Sequence, residues 1–77
     1  MKELVEVIVK ALVDQPDQVV ITEEMAGEEH QLKVRVAPED MGKVIGKQGR
    51  IAKSIRTVVK TAAIKENLQV SVDISEE

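Results

Sequence analysis

Hydrophobic and polar residues follow two different periods along this chain, and the first of them predicts a helix over residues 2–14. Apolar side chains recur there at helical spacing, at Leu4, Ile8, Ala11 and Leu12, with charged residues between them. Five valines and isoleucines in the same stretch also suit a strand. Pro16 ends the element, because the residue before a proline is pushed out of the helical region.

The second period is an alternation that predicts strands. Residues 18–25 are rich in β-branched side chains, and residues 31–37 alternate Leu32, Val34 and Val36 with Lys33 and Arg35. The short connection around residues 26–29 predicts that the two strands pair as an antiparallel hairpin. Residues 68–75 alternate in the same way and predict a third strand.

Two helices are predicted between the second and third strands, over residues 39–45 and 50–66. The predicted core stripe of the longer helix consists of Ile51, Ile55, Val59 and Ala62. The order is therefore α-β-β-α-α-β, and a crossover of two helices predicts a parallel, right-handed connection. We expect an α+β fold with a three-stranded mixed sheet and the helices packed on one face.

Composition removes several function classes. The chain has 77 residues, which predicts a single domain with a small core. It contains no aromatic residue, no cysteine and one histidine, which excludes recognition by aromatic base stacking, a thiolate zinc site and a histidine-rich metal site. We expect neither a catalytic site nor a cofactor. The mixed charge of residues 1–14 and the lack of a long apolar stretch predict a cytoplasmic protein without a membrane span.

The distribution of charge is more informative than the net charge of −3. Residues 41–65 carry seven lysines and arginines and no acid, whereas the remainder of the chain has a charge of −10. A polyanion responds to this local field, because salt screens charges over about 8 Å. A solvated lysine-rich helix face is the alternative interpretation of the same residues.

A four-residue segment bounded by Gly46 and Gly49 separates the two predicted helices within this basic region. Glycine permits a sharp turn, and the second helix directs unpaired N–H groups toward it, beside Lys47 and Arg50. These features favour a cradle for a phosphate of an extended strand. The alternative is that the glycines only end one helix and begin the next. A nucleotide-binding P-loop is excluded by its spacing, since that motif needs four residues between the glycines and Ser or Thr after the lysine.

The stretch from Val44 to Ile55 resembles the signature of the K homology (KH) domain, in which an Ile-Gly-x-x-Gly segment followed by further isoleucines joins two helices. The α-β-β-α-α-β order is similar to the bacterial type II arrangement of that fold, and the resemblance covers essentially the whole chain, 1–77. It implies that Gly46, Lys47, Gln48 and Gly49 clamp about four nucleotides of single-stranded RNA. It also implies that residues 31–37 form the opposite wall of the groove. It further implies that Ile45 supports the groove, and Lys43, Arg50 and Lys53 of the basic segment are the other candidate RNA-binding residues.

The resemblance implies partners as well as a ligand. Small KH proteins of this kind are associated with homodimers and with a larger KH-containing protein. We therefore expect a non-catalytic RNA chaperone or regulator, with a module that acts mainly by protein pairing as the alternative. Val58 at the edge of the core stripe and Ile64 on the lysine-rich face are the candidate interface residues on helix 50–66.

Overall fold

The computed structural model describes residues 1–76 and contains the helices and strands in the predicted order. The helices are α1 (Lys2–Leu12), α2 (Met41–Ile45) and α3 (Arg50–Lys65), and the strands are β1 (Val20–Ala26), β2 (Glu29–Val36) and β3 (Gln69–Glu76). Single 3-10 turns lie at Pro16–Gln18, Pro38–Asp40 and Lys47–Gly49. The predicted helix over 39–45 is thus divided into a 3-10 turn and a five-residue α-helix.

The sheet has the order β1-β2-β3, with one antiparallel and one parallel pair. Ala26 pairs with Glu29 across a two-residue hairpin turn. Gly27 has a φ of 64° there, as the first central position of a type II′ turn requires. On the other side of β2, Leu32 pairs with Val72 of β3 in parallel register. The predicted mixed α+β sheet is confirmed.

The helices cover one face of this sheet. Leu32, Val34 and Val36 of β2 are fully buried on that face, whereas Lys33 and Arg35 on the opposite face are exposed. The alternation in β2 therefore separates a helix-covered core from an open polar surface, as predicted.

The face by which α1 packs differs from the predicted stripe by one position, whereas in α3 Ile55 and Val59 are buried as predicted and only the two ends of the stripe differ. Val5, Val9 and Val13 are the buried residues of the first helix and its end, while the predicted Ala11 and Leu12 are exposed and Leu4 and Ile8 are half-buried. The apolar surface of each helix is wider than the area that the sheet covers. The part that packs against the sheet is the one with small or β-branched side chains, because these allow the helix and the sheet to approach most closely. In α3 the buried residues are Ala52, Ile55, Val59 and Ala63, while Ile51 and Ala62 are half-buried.

The first helix also ends earlier than predicted, at Leu12 instead of residue 14. Val13 is extended, with φ −97° and ψ 158°. The backbone N–H groups of Asp14 and Gln15 donate to the carboxylate of Asp40, at 3.2 and 3.0 Å. The helix ends here because these two N–H groups bond to a side chain 26 and 25 residues away and not to the preceding turn.

Candidate nucleic-acid interface

The turn between α2 and α3 is built from three residues with positive φ. Gly46 has φ 74° and ψ 178°, Gln48 has φ 58° and Gly49 has φ 74°. The N–H of Gly46 closes α2 by donating to the carbonyl of Gly42 at 2.9 Å, and the N–H of Gly49 donates to the Gly46 carbonyl at 3.3 Å. The chain therefore turns from one helix into the next within four residues, and Lys47 is exposed in this turn.

Gly46 and Gly49 serve different purposes. A Cβ atom at Gly46 would lie 2.6 Å from Cγ1 of Ile51, so this glycine allows the loop backbone to pack against the first turn of α3. A Cβ atom at Gly49 would meet nothing within 4 Å, so only its left-handed conformation requires glycine. Ile45 is half-buried and packs against the core beside this contact.

Three of the four predicted cations are exposed around the loop and form no ion pair with the described residues. They are Lys47, Arg50 and Lys53. No side chain caps the first turn of α3, whose N-cap is Gly49. The loop thus combines free positive charge with the positive end of a helix dipole. Gln48 is exposed between the cations.

Lys43 differs from the other predicted RNA-binding cations, because carboxylates already surround it. Its ammonium donates a hydrogen bond to Asp14 and lies 3.8 Å from Oδ1 of Asp40. The hydrogen bond to Asp14 raises the pKa of Lys43; slight burial opposes the rise, and the charges of Asp14 and Asp40 add to it. Lys43 is therefore held against the end of α1, away from the free cations of the loop.

The strand beside the loop helices is β3, which corrects the expected groove wall. The core-facing side chains of residues 31–37 are fully buried in the central strand, so they offer no open surface on that side. Both α2 and α3 pack against β3, which is an edge strand. Arg56 of α3 donates from Nε to the carbonyl oxygen of Val72 in β3, at 3.2 Å. Arg56, which lies within the basic segment but was not singled out from the sequence, thus links α3 to the edge strand.

The two candidate interface residues lie on different surfaces of α3. Val58, 49% exposed, borders a shallow apolar depression of about 310 Å³ between α1 and α3. Ile64, 67% exposed, lies beside Lys60 and the start of β3. The depression is lined by Ile8, Leu12, Ile51, Ser54, Ile55 and Val58. It therefore lies where α1 and α3 meet, and its floor includes the buried Ile55.

Comparison with known proteins identifies the family. A family model described as "KhpA/KhpB, KH domain" matches residues 2–74. The chain belongs to this KH-domain family. It is 65% identical over 74 residues to the "RNA-binding protein KhpA" of Clostridium perfringens, covering 96% of this chain and 99% of the relative. The protein of the same name from Listeria monocytogenes serovar 1/2a is 50% identical over 76 residues, covering 99% of this chain and all of the relative.

Membership confirms the KH resemblance, and the structure has a turn at residues 46–49 between α2 and α3. Within residues 1–76, no helix has the length and apolar content that a membrane span requires. Among the side chains of residues 1–75, no group of three or more His, Cys, Asp or Glu is placed to hold a metal ion.

Proposed function

We propose that residues 1–77 act as one KH domain that binds single-stranded RNA through the loop Gly46-Lys47-Gln48-Gly49. The observation that carries the proposal is the loop itself: a backbone shaped by positive φ angles, with free cations at Lys47 and Arg50. The names of the relatives, "RNA-binding protein KhpA", support it. We infer a non-catalytic role as an RNA chaperone or regulator that brings RNA to partners or changes its accessibility.

In this proposal the phosphates and the bases contact different parts of the surface. The phosphates lie against the loop and the uncapped first turn of α3, with Lys47, Arg50 and Lys53 as counter-charges. The bases extend toward β3, where Arg56 and the free edge of the strand offer hydrogen-bonding groups. Ile45 supports the loop from the core side. Lys43 adds to the local positive field, reduced by its pairing with Asp14.

Lys47→Asp combined with Gln48→Asp tests the loop. The two acids place negative charge where a phosphate approaches, and we expect the variant to lose measurable RNA binding. The fold is expected to remain intact, because both residues are exposed and Asp tolerates the left-handed conformation of Gln48. Binding is measured by fluorescence anisotropy with a random pool of single strands of about eight nucleotides, twice the length that one KH loop clamps.

Lys2→Asp combined with Gln18→Asp is the matched control. It makes the same change in net charge at two exposed positions outside the basic segment, so it is expected to retain most of the affinity. Retained binding by the loop variant, or an equal loss in both variants with unchanged circular dichroism, would show that RNA does not bind at the loop.

We also propose that two copies associate through the apolar depression beside Val58. A domain this small buries little apolar surface by itself, and the half-exposed apolar residues of α1 and α3 remain unpartnered. A second copy would cover them with the same residues about a two-fold axis. A larger KH-containing protein is the alternative occupant. Light scattering distinguishes the two occupants, because self-association raises the mass of the isolated chain.

A further inference from the structure

Asp40 is the buried charged residue that the proposed RNA contact does not use. It is 1% exposed and is the one polar or charged side chain classed as buried within residues 1–75. A buried carboxylate is costly unless it is fully hydrogen-bonded. Here Oδ1 and Oδ2 accept the backbone N–H groups of Asp14 and Gln15, and the Lys43 ammonium lies 3.8 Å away.

These bonds connect the end of α1 to the start of the helix that carries the loop. Asp40 is the residue immediately before α2, and α2 has only five residues before Gly46. A helix of this length is not stable by its own hydrogen bonds, so its direction depends on tertiary contacts, namely the packing of the fully buried Val44 in its middle and what holds its two ends. One end is held by the packing of Gly46 against Ile51, and the other by the Asp40 carboxylate.

We propose that Asp40 is a positioning residue for RNA binding: its buried carboxylate fastens α2 to the segment after α1 and thereby sets the orientation of the loop at residues 46–49. This inference rests on the proposed loop function, and Asp40 itself does not contact RNA. The carboxylate acts through backbone N–H groups of residues 14 and 15 and so links two segments that are distant in sequence.

The proposal predicts that removing the Asp40 charge weakens RNA binding, whereas the loss of a negative charge by itself predicts tighter binding. Asp40 precedes a segment with a charge of +7, so removing its negative charge strengthens RNA binding if only charge matters. If Asp40 positions the loop, Asp40→Asn weakens binding, because the amide replaces one acceptor oxygen with a donor facing an N–H group. We expect about a tenfold rise in the RNA dissociation constant, a change of about 1.4 kcal/mol.

Three variants separate positioning from charge and from stability. Asp17→Asn removes the same charge at an exposed site without a hydrogen bond to α2, and Asp14→Asn removes the Lys43 partner but keeps the backbone N–H that Asp40 accepts. Both are expected to keep the RNA affinity within about twofold or to raise it slightly. Val34→Ala destabilises the core in the central strand β2, without touching the bonds of Asp40, and at a temperature where it is folded is expected to retain the affinity.

Amide hydrogen exchange tests positioning without RNA. In Asp40→Asn, the amides of residues 14, 15 and 46–49 are expected to exchange faster than in the native chain, while those of β2 remain protected. If native protein and loop variant bind RNA alike, the loop function fails, yet the exchange result still decides whether Asp40 orders the loop. Asp40→Ser, which keeps one acceptor, is the second variant in case the first does not fold.

The proposal is overturned by unchanged or tighter RNA binding in folded Asp40→Asn, or by unchanged exchange at residues 46–49. It is also overturned if both Asp40 variants unfold while Val34→Ala remains folded, because Asp40 would then determine the global fold and not the local direction of α2. Weaker binding and faster loop exchange, with Asp17→Asn unaffected, support it.

Discussion

Gly46→Ala is expected to be the most damaging single-methyl change in the loop. The backbone at Gly46 has φ 74° and ψ 178°, a conformation that is essentially restricted to glycine. The added Cβ would also lie 2.6 Å from Cγ1, 2.9 Å from Cδ1 and 3.0 Å from Cβ of Ile51. Because Ile51 is half-buried against the core, its branched side chain cannot move away freely.

The loss of stability in Gly46→Ala is the sum of the backbone cost and the steric cost. The backbone conformation costs about 1–3 kcal/mol for a residue with a side chain, and overpacking against Ile51 costs about 1–3 kcal/mol more. A chain of 77 residues has a total stability of roughly 4–12 kcal/mol. Gly46→Ala therefore removes a large share of it and lowers Tm by about 10 °C or more, at roughly 4–8 °C per kcal/mol.

The other loop and helix glycines provide matched comparisons. The methyl group added by Gly49→Ala meets no neighbour within 4 Å, so this variant loses only the stability of about 1–2 kcal/mol that a left-handed backbone costs a residue with a side chain. Gly42→Ala lies in α2 with open space around it and is expected to stabilise by about 0.5–1 kcal/mol. Thermal unfolding followed by circular dichroism should rank Tm as Gly42→Ala, native, Gly49→Ala, Gly46→Ala, from highest to lowest.

A double-mutant cycle isolates the steric term. Ile51→Ala removes the two atoms nearest to the added methyl group, so Gly46→Ala should cost less in that background, with a coupling of about 1 kcal/mol or more. A Gly46→Ala variant as stable as Gly49→Ala, together with zero coupling to Ile51→Ala, would refute the close packing between the loop and α3.

Three further outcomes are expected. If three or four phosphates are neutralised, log K for single-stranded RNA falls with log[salt] at a slope of about −2 to −3. The RNA affinity measured by isothermal titration should then fall roughly 15- to 60-fold between about 50 and 200 mM salt, and an affinity independent of salt contradicts the phosphate contacts. At about 100 μM, well above micromolar affinity, Val58→Asp should lower the light-scattering mass of a self-associated chain, whereas Ile64→Asp should leave that mass unchanged. The reverse result would place the contact on the other side of α3. Folding raises the pKa of Lys43, so its pairing stabilises the fold below the ordinary lysine pKa, and this stabilisation is lost as the pH rises through the raised value. Above about pH 10, Tm should therefore fall less steeply with pH for Asp14→Asn than for the native chain. Equal slopes of Tm against pH would contradict the pairing.

The order of elements was predictable because each one has a local signal. Alternation in residues 31–36 marks β2, and the glycines at 46 and 49 mark the break between α2 and α3. The parallel pairing of β2 and β3 followed from the length and helical content of the connection between them. These features depend on neighbours in sequence, which a single sequence displays.

The side on which each helix packs was not predictable by the same means. In α1 the predicted positions Ile8 and Leu12 share one apolar arc with Val5 and Val9, and periodicity alone does not say which part of the arc meets the sheet. The contact of Asp40 with residues 14 and 15 was also missed, since a carboxylate in a first helical turn is typical of an exposed residue that favours the helix dipole. Both depend on distant parts of the chain.

The corrected packing of α3 makes the two proposed interactions compatible. Its buried stripe faces the sheet through residues such as Ala52 and Val59, which leaves Val58 beside α1 and directs Arg56 toward the edge of β3. The apolar depression lies on the α1 side of α3 and Arg56 on its β3 side, so the two proposed interactions use different sides of one helix and approach each other at Ile51, which lines the depression and packs against Gly46. Association of two copies would then present two loops to one strand of RNA, raising the effective concentration of the second site once the first is bound.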